Sequence, residues 1–228
     1  MFTETSSNAR KISIYTSGCW AYGSTGDAVA TETSPHQSHD GISWSPPIAS
    51  VVQHHSGVKG MVILPAMVYE RDGGVLEPML PAVYTSKRIQ IIGSEKIHWP
   101  LVHREDLAVF YMLMMEQGTQ GAIYNAASID GVTTGEIAKH LSQRFGLTDT
   151  PDITSVEQAV ADYDMWAAGY VIDQQVSEWP KCHGRIGVVV EAKESCKRDL
   201  LIDDDPHSRP APNCSKGIQI PDTHHLSR

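Results

Sequence analysis

Apolar residues follow two rhythms along this chain. Lys11-Ile12-Ser13-Ile14-Tyr15-Thr16-Ser17 alternates polar and apolar positions, the period of a strand. Gly60-Met61-Val62-Ile63-Leu64-Pro65 is instead continuously apolar, the pattern of a parallel strand covered on both faces. Ile89-Gln90-Ile91-Ile92, ended by Gly93, and Ala122-Ile123-Tyr124-Asn125-Ala126 predict two further strands. A polar, Gly/Ser/Thr-rich loop runs from the first strand through His39.

The helical rhythm is clearest over residues 104–117, where Leu107, Phe110, Tyr111 and Met114 fall on one face and Gly118 is the expected stop. Thr133-x-x-Glu136 is a capping box that opens a helix with the stripe Ile137, Leu141 and Phe145, stopped by Gly146. Ser155-x-x-Gln158 opens an amphipathic helix predicted to reach about Ala168. Residues 43–55 suit a helix only if Pro46 and Pro47 occupy its first turn. Residues 75–84 suit a helix shortened by Pro78 and Pro81. Strands interleaved with amphipathic helices predict an α/β fold.

After Ser177 the character changes. Val188-Val189-Val190 suits a strand, but residues 204–228 are Asp, Pro, Ser, His and Lys with no apolar period and read as disordered. The predicted organisation is one folded unit over residues 1–177 and an irregular, largely disordered tail over 178–228.

Composition narrows the function. The chain has 228 residues, 41% of them hydrophobic, enough for a real core. A net charge of −9 argues against a nucleic-acid partner, which would need clustered Lys and Arg. No apolar run reaches membrane-span length, and Met-Phe-Thr-Glu-Thr-Ser-Ser-Asn lacks signal-peptide architecture, so a cytoplasmic protein is the expectation. Cys19, Cys182, Cys196 and Cys214 are widely spaced and suit neither a zinc site nor a disulfide framework. The pairs His54-His55 and His224-His225 are adjacent in sequence and point apart, so no metal is expected.

Four segments carry a family pattern in order. Ile14-Tyr15-Thr16-Ser17-Gly18-Cys19-Trp20-Ala21-Tyr22-Gly23 is a buried strand ending in a small polar cluster and Tyr-Gly. Val62-Ile63-Leu64-Pro65-Ala66-Met67-Val68-Tyr69 has the shape Arg-Pro-x-x-Val-Tyr-Gly, with Leu64 in place of Arg and Glu70 in place of Gly. Val102-His103-Arg104-Glu105-Asp106-Leu107-Ala108 and Ala122-Ile123-Tyr124-Asn125-Ala126 follow at matching intervals. Over residues 11–177 the chain resembles the extended short-chain dehydrogenase/reductases, the NAD-dependent epimerase/dehydratase family.

That resemblance implies a partial Rossmann-type parallel sheet with a smaller substrate-side lobe. It implies a small-molecule substrate of carbonyl or sugar type, and NAD or NADP as cofactor. Ser17 would hold the substrate oxygen, and His103 would stand in as proton donor or base. Tyr22 and Tyr69 would line the substrate pocket, and Pro65 with Ala66 would abut the nicotinamide ring. Two hallmarks of the family are missing. Nucleotide binding uses a three-glycine turn between a strand and a helix N-terminus. Here only the pairs Gly23/Gly26, Gly57/Gly60, Gly118/Gly121 and Gly184/Gly187 occur, and ten residues precede Lys11. No Tyr has Lys four residues on; the place for that pair reads Gly41-Ile42-Ser43-Trp44-Ser45-Pro46-Pro47-Ile48. The expectation is therefore an oxidoreductase or epimerase impaired by truncation, binding dinucleotide weakly and self-associating through an exposed sheet edge. The alternatives are a non-catalytic Rossmann-like binding protein and a non-functional fragment.

Overall fold

The computed structural model describes residues 11–70, 73–148, 150–163 and 165–177. The predicted tail over 178–228 and the strand at residues 188–190 lie outside the described residues. The elements in chain order are β1 (Lys11–Thr16), β2 (Val29–Ala30), α1 (Ser45–His54), β3 (Val58–Pro65), β4 (Met67–Glu70) and β5 (Gly73–Gly74). They continue with α2 (Pro81–Thr85), β6 (Gln90–Ile92), β7 (His98–His103), α3 (Arg104–Gln117), β8 (Ile123–Ala126) and β9 (Ile129–Thr133). The last are α4 (Thr134–Phe145), β10 (Asp152–Thr154), α5 (Val156–Tyr163) and β11 (Gln175–Val176).

The first layer is a parallel sheet of order β1-β3-β8. Its central strand carries the continuous apolar run. Met61, Val62, Ile63 and Leu64 are all buried because alternate residues enter different layers. Met61 and Ile63 pack with Phe110 and Met114 of α3 and with Tyr124 and Ala126 of β8. Val62 and Leu64 face a larger core that includes Ala49 of α1. Fully burying side chains of this size contributes about 1.5–3 kcal/mol each. The predicted parallel meeting of residues 12–17 with 60–65 is the observed β1–β3 pairing, from Lys11 opposite Val58 to Thr16 opposite Ile63. Among the described residues β1 is a sheet edge, and Ile12 on it is 45% exposed.

Close helix-strand contact depends on Gly60. A Cβ at this position would overlap the Val52 carbonyl oxygen on α1. Gly118 ends α3 as expected, but its φ of −57° is not left-handed. It is required by packing, since a Cβ there would overlap the Met114 carbonyl oxygen as well as the Met61 sulfur.

The second lobe is a mixed sheet of order β5-β4-β7-β9, with β4 and β7 parallel and β7 and β9 antiparallel. β4, β7 and β9 were not predicted. In β7 the ladder register shifts between Trp99 and Leu101, at Pro100, which has no N–H to donate. The capping box of α4 is present as predicted: Glu136 N donates to Thr133 Oγ1 at 3.2 Å and Thr133 N donates to Glu136 Oε2 at 3.0 Å. The Thr133 hydroxyl, donating to Glu136 Oε2 at 2.7 Å, and then the Thr133 N–H hold the Glu136 carboxyl below the ordinary carboxylate range. Gly146 closes α4 with φ +63°, the left-handed stop.

Two predicted helices are shorter than expected. Residues 75–84 form a 3-10 turn, Glu77–Met79, followed by α2, because each proline restarts the chain at a first turn. The last helix ends at Tyr163, and Met165–Val171 is a 3-10 segment.

Replacing Gly60 by Ala is expected to lower unfolding free energy by about 1–3 kcal/mol, the range for overpacking a tight contact. Gly18→Ala, at an extended position with open space around it, should change stability by less than about 0.5 kcal/mol. Urea denaturation of both variants checks the contrast.

Candidate functional site

Parallel strands gather their carboxyl ends at one edge of a sheet, and ligands of open α/β folds collect there. Here β1 ends at Thr16-Ser17-Gly18 and β3 at Pro65-Ala66. Ser17 N donates to Ile63 O at 2.9 Å, and Ala66 N donates to Ala126 O at 2.9 Å, so the three strand ends are tied in register. Against this edge lies a cavity of about 480 Å³. Thr16, Ser17, Pro65 and Ala66 form its floor, with Trp20, Trp44, Tyr111, Trp166 and Tyr170 among its walls.

A line of hydroxyls enters this cavity. Ser17 Oγ and Ser45 Oγ are 2.6 Å apart, and Ser45 Oγ is 3.1 Å from Tyr15 Oη. Ser45 opens α1 and is buried. Pro46 and Pro47 place the helix start here, since a first turn needs no N–H partner. A second hydroxyl pair, Thr16 Oγ1 to Tyr111 Oη at 2.6 Å, ties β1 to α3. No described residue lining the cavity carries a charge.

The aromatic wall is held from far along the chain. Trp20 sits in the 3-10 turn Cys19–Tyr22, whose ends are pinned by buried Gln174. The Gln174 amide donates to Cys19 O at 3.0 Å and to Gly23 O at 2.5 Å. The Trp20 indole lies against the backbone of Gly169, so closely that a Cβ there would overlap the ring. Trp20 also meets Trp166 and Tyr170, with ring centroids 6.2 Å apart in each case. Trp44 is fixed by its Nε1–H, which donates to Gly41 O at 2.9 Å. Cys19 lines the cavity too, but burial pushes its thiol up to about 12, so it is no nucleophile.

Of the residues singled out from the sequence, Ser17, Pro65 and Ala66 come together in this cavity. Tyr22, Tyr69 and His103 are not among its lining residues. Tyr22 is buried, donates to Asn125 Oδ1 at 2.7 Å, and sets its ring edge-on to His36. Tyr69 lies in β4 with its ring edge-on to His103 at 5.3 Å. His103 begins α3, its Nδ1 3.4 Å from the Glu105 N–H, which is the position of a helix cap. Ser45, Trp20, Trp44, Trp166, Tyr111 and Tyr170 were not singled out. The signal for Ser45 was its place just before Pro46-Pro47; the aromatic residues carry no local signal.

The glycine pairs do not make a phosphate cradle. At Gly23 the Cβ position is filled by the Gln37 carbonyl, and at Gly60 and Gly118 by the contacts already described. None of these pairs stands between a strand end and the helix that follows it. Gly184/Gly187 lies outside the described residues. Among the described residues there is also no cluster of His, Cys, Asp and Glu that could hold a metal ion. No described helix is long and apolar enough to cross a membrane.

These features define a Rossmann-type α/β protein with a cavity at its strand ends. No family model matches the chain. It is 32% identical over 124 residues to an uncharacterized protein of Schizosaccharomyces pombe, a match covering 53% of this chain and 41% of that protein. Solved structures extend the comparison across most of the described residues. A human epimerase family protein with NADPH is 20% identical with a TM-score of 0.64, over 79% of this chain and 61% of that one. UDP-glucose 4-epimerase from Thermotoga maritima with UDP-glucose is 18% identical with a TM-score of 0.64, over 82% and 61%. The dTDP-glucose 4,6-dehydratase of Streptomyces venezuelae with NAD bound is 17% identical with a TM-score of 0.62, over 82% and 58%. The chain therefore has the fold of NAD-dependent epimerases, dehydratases and related short-chain dehydrogenase/reductases. It spans less than two thirds of the length of each of these three structures.

The described residues do not fit the phosphates of a dinucleotide. Titration with NADH and NADPH by calorimetry is expected to give no dissociation constant at or below about 1 μM, equivalent to about −8 kcal/mol. Tighter binding would mean that another element supplies the phosphate site.

Proposed function

We propose that the cavity at the ends of β1 and β3 is the substrate site of an epimerase/dehydratase-like oxidoreductase acting on a small carbonyl or alcohol compound. The observation that carries this reading is the hydroxyl line Tyr15–Ser45–Ser17. Each hydroxyl has one proton to give. With Tyr15 donating to Ser45 and Ser45 to Ser17, the Ser17 proton is free to point at a substrate carbonyl oxygen. With an alcohol as substrate, the line reverses and Ser17 accepts. The three side chains thus hold a substrate oxygen in either oxidation state. A ligand that covers the apolar walls would shield that bond from water and strengthen it.

A nicotinamide cofactor, bound as in the NAD and NADPH complexes of similar fold, would supply the hydride; Pro65 and Ala66 are the residues that would abut its ring. The described residues lack a phosphate cradle for it. In this reading Tyr22 and Tyr69 are packing residues and His103 is the cap of α3. A second reading, a non-catalytic binding protein built on the same fold, is favoured by the missing Tyr-x-x-x-Lys pair. It keeps the same cavity and predicts binding without turnover.

The test is saturation-transfer NMR of acetophenone, D-glucose and UDP-glucose with the full chain. At least one should bind, and Ser17→Ala and Ser45→Ala should each weaken it about threefold to tenfold, the loss of one neutral hydrogen bond. Binding by none, or binding indifferent to both substitutions, would overturn the substrate site.

A further inference from the structure

The cavity walls are more selective than the fold requires. Among the described residues its lining contains no Asp, Glu, Lys, Arg or His. A diphosphate buried here would keep its charge with nothing to neutralise it, a large desolvation cost. A charge that does act on the lining is of the wrong sign: the Tyr170 phenol is raised mainly by burial and further by the Glu77 carboxylate. A bare sugar fares little better. The Ser17/Ser45 and Thr16/Tyr111 pairs each leave one hydroxyl proton to give, few partners for a ring carrying several hydroxyls.

What the cavity does offer is aromatic surface. Trp20, Trp166 and Tyr170 form one continuous wall. Trp44 and Trp166 are 56% and 51% exposed, large rings left in water at the margin of the cavity. A flat apolar ligand would cover them, and stacking on such rings adds to area burial. At the strand ends Ser17 presents its hydroxyl to the cavity.

We infer that the cavity takes an uncharged aryl ketone or the corresponding alcohol, with the ring on the Trp20–Trp166 wall and the oxygen on Ser17, and rejects sugar nucleotides. This rests on the reading of the cavity as a substrate site. It also assigns a positioning role to Gly169. Any side chain there would overlap the Trp20 indole, part of the cavity wall, and displace it.

The experiment is calorimetric titration of the full chain with three probes: 4-phenyl-3-buten-2-one, its charged counterpart trans-cinnamate, and UDP-glucose. The ketone is expected to bind at least about tenfold more tightly than either anion, the discrimination of an uncharged lining. Gly169→Ala should weaken the ketone about fivefold or more by displacing the Trp20 indole. Because that variant also risks misfolding, Trp166→Ala, at an exposed ring, serves as the second variant; it should weaken the ketone with an unchanged melting temperature. Cinnamate or UDP-glucose binding as tightly as the ketone would overturn the inference, as would a ketone indifferent to Trp166→Ala. If UDP-glucose binds and Ser17→Ala weakens it, the inference fails while the substrate site stands. If none of the three binds, the inference fails, and acetophenone and D-glucose then decide the fate of the site.

Discussion

The parallel pairing of β1 with β3 is the constraint on which the rest depends. It fixes Thr16 opposite Ile63 and ties the Ser17 amide to the Ile63 carbonyl, so the two strands end together. β3 then fixes β8, with Pro65 opposite Ala126. A slip of one residue would turn every side chain of β1 to the other face. Tyr15 would leave Ser45, and Thr16 would leave Tyr111. The same pairing sets where α1 must lie, because its Val52 carbonyl comes down onto Gly60 in the central strand. Ser45, at the start of that helix, is thereby brought to the strand ends. The hydroxyl line is a consequence of sheet register, helix contact and the proline-defined helix start, none of which is chemical in itself.

Elements with a strong local period were legible in the sequence. The run 60–65 sits in β3, residues 104–117 match α3 to the residue, and the capping box opens α4. What failed were elements whose stability is not local. β2 and β11 are two-residue strands that pair across the length of the described chain, Val29 with Gln175 and Ala30 with Val176. β7 contains a proline, which a local reading takes as a strand breaker; the partners β4 and β9 and the register shift at Pro100 make it a strand. Over residues 155–168 the amphipathic pattern continued past Tyr163, and the tighter 3-10 path of Met165–Val171 brings Gly169 against Trp20.

The site was legible in half. Ser17, Pro65 and Ala66 could be named because strand ends have a fixed place in this fold. Tyr22 and Tyr69 could not be oriented from sequence: Tyr22 turns to buried Asn125, and Tyr69 lies within β4 against His103. The cavity walls come from Trp20, Trp44, Tyr111, Trp166 and Tyr170, five positions scattered over the chain, and only the folded arrangement joins them. The buried amide of Gln174, which holds the Trp20 turn from the far end of the described residues, is likewise invisible to any local pattern.

The strand-end pocket that would hold a substrate is assembled from described residues; the phosphate cradle that would hold a dinucleotide is not among them. The most direct test of the central claim is an NMR titration of the indole N–H resonances with 4-phenyl-3-buten-2-one. The account predicts progressive shifts at Trp20, Trp44 and Trp166, which line the cavity, and little change at buried Trp99. Shifts confined to other tryptophans, or none at saturating ketone, would contradict it.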